Sequence, residues 1–202
     1  DIADIVRDGG PILDPLYLTA VVEANVAPIN QDPVLQRKYG GLDTPPPDDG
    51  SGNVFFHLDP LWASPAIDAV GIDNYMPLSD WRDEDLSGVN PDGFRLVDDA
   101  MAMQNAITAG EGFDWYYADE AGRAARTRLP ITDGLAGKPW VYRFKDITGW
   151  WSNPHYDRVN GAEVTSPTAW VPGMKPVWFT ELGCPAIDKG ASRPNVFLDP
   201  KS

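Results

Sequence analysis

The stretch Lys175–Pro185, KPVWFTELGCP, constrains the chain more than any other. An apolar run from Pro176 to Phe179 stops abruptly at Thr180 and Glu181, and Leu182, Gly183, Cys184 and Pro185 then turn the chain away. A short apolar run between turn signals reads as a buried strand. A carboxylate at the C-terminal end of such a strand lies where parallel α/β barrels gather their chemistry. Glu181 is therefore a candidate catalytic carboxylate, the alternative being a solvated acid at a strand end.

A second stretch has the same design. Ile67 to Tyr75, IDAVGIDNY, is apolar at Val70 and Ile72, with Gly71 allowing a neighbour to approach closely. It too reads as a buried strand ending in polar groups, here Asp73 and Asn74, followed by Tyr75. Two polar strand ends are what the active face of a barrel would present. The alternative is that Asp73 and Asn74 cap the following segment.

Composition narrows the partners. The 202 residues carry a formal net charge of −14, with 8 Trp. Nucleic acid and anionic membrane surfaces need a cationic face, so neither is expected as a partner. A neutral carbohydrate is compatible. The single cysteine, Cys184, excludes an internal disulfide and a Cys-based metal site, and the two histidines, His57 and His155, give no metal-ligand cluster. No metal or cofactor is expected. There is no apolar run of about 18 residues and no membrane insertion is expected. The N-terminus lacks a basic start and an apolar core, so no signal peptide is read there. The chain begins without Met and reads as cut from something longer. No HExxH, P-loop, GxGxxG or GxSxG string occurs.

Residues 1–49 form a poorly defined N-terminal segment, in which Pro15–Val26 is ambiguous between helix and strand. It ends in the loop LDTPPPDDGSGN, residues 42–53. Residues 50–202 read as the main domain. Within it, Val54–His57 reads as a short strand, and Leu61–Ala66 as a turn or helix start with Trp62 packed inward. Phe94–Thr108 reads as the best helix, with an apolar face including Leu96, Met101, Ala102 and Ile107. A second helix is expected within Phe113–Arg128, with Asp114 as a cap. Pro139–Phe144 reads as a strand. Asp146–Tyr156, DITGWWSNPHY, reads as a loop in which Trp150, Trp151, Asn153 and His155 face a ligand; the competing reading has the two Trp sealing the core.

Carboxylate chemistry survives these exclusions. Glycoside hydrolysis needs two carboxyl groups flanking the scissile bond, one donating a proton and the other attacking the anomeric carbon or activating water. Glu181 fits the second role. Asp73 is the strand-end candidate for support or for the partner carboxylate, with Glu23 a further option. Aromatic rings cover the C–H faces of sugars, which makes Trp150, Trp151 and Trp178 candidate platforms.

The strings Val70–Leu78 (VGIDNYMPL), Gly137–Arg143 (GKPWVYR), Trp150–His155 (WWSNPH) and Lys175–Pro185 occur in this order, and together they resemble the TIM-barrel-like domain of the gene transfer agent family. The resemblance covers about residues 50–202. It implies a (β/α)8 barrel-like α/β fold, partial or truncated here, with a large Trp-rich insertion. It also implies kinship with retaining glycoside hydrolases, placing the nucleophile at Glu181, with Asp73, Asn74 and Tyr75 orienting it or the sugar. The acid/base glutamate of such enzymes has no matching string in this chain. The context implied is a phage-tail-type hub protein, in a particle assembled in the bacterial cytoplasm, contacting other hub segments and acting on cell-envelope polysaccharide or peptidoglycan. The alternative is a non-catalytic module for carbohydrate binding or hub architecture.

Overall fold

A computed structural model describes residues 52–88 and 90–194. Pro15–Val26, Glu23 and the loop at residues 42–51 lie outside the described residues. The rest divides into two units, the first made of residues 52–73 and Ile147–Glu181, the second of Asn74–Asp146 and residues 182–194.

The first unit is built on aromatic packing. Helix α1, Asp59–Trp62, starts with Pro60 in its first turn, where a fixed φ and a missing N–H cost nothing. It turns Trp62 into a core with Ile67, Val70 and Trp170. Strand β1, Val70–Asn74, supplies Val70 to this core and Ile72 to its margin. The segment expected to be a loop at Asp146–Tyr156 is instead mostly helix. Ile147–Ser152 is helical, Ser152 Oγ donates to the Thr148 carbonyl, and Asn153 Nδ2 donates to that of Gly149. The helix turns Trp150 inward against Trp62 and Trp170, at ring separations of 5.3 and 4.6 Å. Val54–His57 forms no strand; Val54 makes only an isolated antiparallel bridge to Arg158. A two-stranded hairpin, Arg158–Val159 with Ala162–Glu163, lies beyond it.

The second unit is built on short elements pinned by side-chain hydrogen bonds. The expected helix Phe94–Thr108 is reduced to α-helix at Ala100–Asn105, extended by 3-10 turn at Ala106–Thr108. Two polar residues set its start. Asn90 Oδ1 accepts from the backbone N–H of Asp92 and Phe94, holding that segment in a turn. Asp99 then caps the helix by accepting from Ala102 N. Ala102 is buried with Trp81 and Phe94, whereas Leu96, Met101 and Ile107 are exposed, so the apolar face read from the sequence is only partly a core face.

The expected helix across Phe113–Arg128 divides in two. Trp115–Tyr116 pairs antiparallel with Leu129–Pro130. Between them only Glu120–Ala124 is helical, capped by Asp119 through Gly122 N, while Asp114 instead accepts from Gly110 N. Pro139–Tyr142 is a 3-10 helix in place of the expected strand. Its proline carries no N–H for a sheet ladder.

The chain is thus α/β, but every sheet among the described residues has two strands, and these residues close no barrel.

Candidate functional site

The C-terminal stretch forms strand β6, Val177–Leu182, counting the strands at 115–116, 129–130, 158–159 and 162–163 as β2 to β5. It pairs with β1. The Val70 N–H donates to the Pro176 carbonyl at 2.9 Å, and the Gly183 N–H to the Asn74 carbonyl at 3.3 Å. These bonds climb both strands in one direction, so the pair is parallel. Both strands therefore bring their carboxylate-bearing ends to the same side.

The register is not uniform. A regular ladder begun at Val70 would put the Leu182 N–H, not that of Gly183, on the Asn74 carbonyl. Five residues of β1 face six of β6. Thr180 still obeys the first register, since its hydroxyl donates to Asp73 Oδ1 at 2.9 Å. The additional residue therefore falls in Glu181–Leu182. This is a β-bulge, a feature that re-aims side chains and often lies beside active sites.

The expectation of a buried strand fails for β6. Trp178 is 46% exposed, Phe179 50% and Leu182 73%, and Thr180 and Glu181 are exposed as well. Asp73 is half-buried. Along the chain from it, Asn74 uses Oδ1 to accept from Met76 N, and Tyr75 is half-buried.

The Trp-rich segment distributes its residues differently from the sequence reading. Trp150 belongs to the core margin. Trp151 is 37% exposed and donates its indole N–H to the Lys175 carbonyl at 2.7 Å. Asn153 is half-buried and spent on Gly149. His155, read as a ligand contact, has no exposed surface. Its Nδ1 lies 2.8 Å from Asp59 Oδ2 and its Nε2 2.7 Å from the Trp150 carbonyl oxygen. The ring stacks on Phe56 and Trp170. Thr168 Oγ1 donates to the same Asp59 oxygen. His155 is a core residue held by acceptors on both sides, because a carbonyl and a carboxylate face its two nitrogens.

The second unit contains a charged cluster that sequence reasoning does not single out. Asp80 accepts from Tyr117 Oη at 2.7 Å, Arg128 at 2.8 Å and Arg126 at 3.1 Å. Asp85 takes Arg126 in a two-point contact, at 2.7 and 2.8 Å, and Asn90 at 2.7 Å. Burial alone would raise the Asp80 carboxyl, but the hydrogen bonds from Arg128, Tyr117 and Arg126 outweigh it and hold it below the ordinary range. The Arg126 contact holds Asp85 well below that range. Arg128 also lies 3.9 Å from the Trp115 ring centre. The aspartates fall in the sequence as a loop-like run, with the arginines some 40 residues later in no recognisable pattern.

Lys145 is the other residue that sequence reasoning misses. It is buried, and its Nζ donates to the Pro77 and Ala109 carbonyls, at 2.8 Å each. Burial pushes its amine down to about 8, against the pull of Glu111, Asp114 and Asp92. Gly112 positions it: the Gly112 carbonyl accepts from Lys145 N, and the Phe144 ring lies where a Gly112 side chain would be, at φ +80°.

Among the described residues no group of three or more His, Cys, Asp or Glu side chains could hold a metal, and no helix is long and apolar enough to cross a membrane. No curated protein matches the chain. The family model for the gene transfer agent TIM-barrel-like domain matches residues 38–202. That span is most of the 202 residues and contains both carboxylate-bearing strands. The chain therefore belongs to the gene transfer agent TIM-barrel-like domain family.

Proposed function

We propose that the chain is a glycoside-hydrolase-like domain of a gene transfer agent particle, in the tail hub, acting on cell-envelope polysaccharide or peptidoglycan. The observation that carries this is the parallel pairing of β1 and β6, which brings the Asp73 and Glu181 strand ends together with a bulge at Glu181. Glu181 is the nucleophile in this reading. Its exposure leaves it open to a substrate. Asp73, tied to β6 through Thr180, supports it, and Asn74 and Tyr75 continue the polar strand end. Trp178 offers an exposed ring two residues before Thr180 on the same side of the strand, and Trp151 a second exposed ring in the first unit.

A second reading keeps the carbohydrate contact and drops the chemistry. A hydrolytic acid needs a carboxyl held above its ordinary range. Among the described residues, the carboxyls that are clearly displaced, Asp80, Asp85 and Asp99, all move down. That favours a binding or architectural module.

Release of reducing ends from purified envelope polysaccharide and peptidoglycan separates the two. Activity in the wild type that disappears in Glu181→Gln supports the hydrolase. Binding without turnover, unaffected by Glu181→Gln, supports the module. Neither turnover nor binding sinks both.

A further inference from the structure

The second unit contains a cavity of about 130 Å³. Phe94, Trp115 and Lys145 line it, with Asp92, Asn105 and Asp114. Asn105 and Asp114 are exposed, so the cavity opens to the surface, whereas Phe94 and Lys145 are buried. An engineered protein cavity of roughly 150 Å³ accepts benzene. The space here is slightly smaller, so it can take one face of a single substituted six-membered ring, with the other substituents projecting through the opening, and not an extended chain.

The polar groups restrict what that ring can carry. Lys145 has given two of its N–H donors to the Pro77 and Ala109 carbonyls, and the third has no partner among the described residues. A buried donor without an acceptor is costly, so a ligand oxygen at this point is favoured. The carboxylates around the cavity are mostly engaged already. Asp92 is paired with Arg128, Glu111 with Arg123, and Asp80 with Arg126 and Arg128. An anionic ligand would meet this ring of acids. A cationic ligand would meet the Lys145 ammonium, and of the lining acids Asp80, Asp92 and Glu111 are committed to arginines, which leaves the exposed Asp114 alone to balance it. A neutral ligand avoids both penalties. Hydroxyls suit the site best, because each can accept from Lys145 and donate to a carboxylate oxygen. Phe94 and Trp115 supply apolar surface for the C–H groups of the same ring.

We propose that this cavity binds a single neutral pyranose unit, with Lys145 donating to a ring substituent oxygen and Trp115 and Phe94 covering the apolar face. The site is formed within the second unit alone. It does not rest on the reading of Glu181, and loss of one site leaves the other untouched. A hydroxyl bound at Lys145 replaces the missing acceptor and stabilises the ammonium. By linkage, ligand binding then raises the Lys145 titration above its value near 8.

The test is ligand-observed NMR titration of the full chain with methyl glucoside and N-acetylglucosamine. Glucuronate and glucosamine serve as the anionic and cationic counterparts. The expected result is saturable millimolar binding of the neutral sugars, at least tenfold weaker for the charged ones. Ala106→Phe, which fills the cavity from its wall, should abolish binding while near-ultraviolet circular dichroism stays native. Lys145→Met should weaken it at least tenfold. If either variant is unfolded, isotope-labelled lysine in the wild type gives the same answer, through an upward move of the Lys145 titration on adding sugar. Binding unaffected by Ala106→Phe, binding lost in Glu181→Gln, equal binding of charged sugars, or no saturable binding of any neutral sugar would each overturn the proposal.

Discussion

Trp170 in the first unit packs among Trp62, Trp150 and His155, while Asp80 in the second receives Arg126, Arg128 and Tyr117. The two residues anchor their units by different physics. Ring packing is short-ranged, does not depend on salt, and draws on burial of apolar surface. The arginine–aspartate cluster depends on ionisation and on keeping every charge paired, since a buried charge left alone is far more costly than the pair is favourable. The same acidic chain thus holds one part without using its charge and the other by using it. Acidity in the composition therefore reports partly on internal bonding and not only on partners.

The comparison breaks most visibly if Trp170 is removed. Trp170→Ala should destabilise the first unit by about 3–5 kcal/mol, as expected for a large ring deleted from a core. Trp170→Phe should cost far less. It keeps a ring and removes an indole N–H that is buried without an acceptor. Denaturant unfolding followed by hydrogen exchange reads both. Equal losses from the two variants would mean that the indole contributes through something other than packing.

Arg126→Met should cost about 3 kcal/mol, because it leaves Asp80 and Asp85 short of a buried partner. Loss of exchange protection should concentrate in residues 74–146. A loss spread evenly over Ile147–Glu181 would show that the units are not separately held.

The third prediction is the acid response. Asp80 and Asp85 have folded-state values below the unfolded value of about 3.9. Groups depressed in this way contribute stability that is fully present above the unfolded value and is lost as pH falls through the folded values. The second unit should therefore weaken progressively below about pH 4, and Asp85→Asn should flatten that slope. An acid titration followed at Tyr117 checks this, and an unchanged slope in the variant would remove Asp85 from the account. Trp178→Ala should have the smallest effect on folding, within about 1 kcal/mol, because the ring is half exposed. On the proposed function it should still weaken binding of envelope glycans, measured by pull-down on insoluble polysaccharide. Intact glycan binding would leave Trp178 without a role in recognition.

Both carboxylate-bearing strands are legible in the sequence. Each is a short apolar run with sharp polar punctuation, and that signal needs no partner to be read. The inward packing of Trp62 is legible for the same reason. The exposure of β6 is not, because an apolar run carries no record of how many neighbours it meets. The helices differ from expectation at their ends. Asp99 and Asp119 begin them, while the pattern alone points to Phe94 and Asp114. The capping choice depends on which N–H groups are already taken, as Phe94 N is by Asn90. The Asp80 cluster and Lys145 leave no trace in periodicity, since their partners lie tens of residues away and include backbone carbonyls.

The offset in β6 has a consequence for how this strand tolerates change. A strand assigns its two sides by parity, so Trp178 and Thr180 look one way and Val177 and Phe179 the other. One additional residue is a phase shift, and the odd–even assignment that holds up to Thr180 reverses beyond Leu182. Deleting one residue between Thr180 and Gly183 would restore a uniform ladder and leave the downstream side chains on the side they already occupy. The same deletion made before Thr180, in the regular part of the strand, would instead act as a change of address, moving the side chains on one side of the cut to the opposite face.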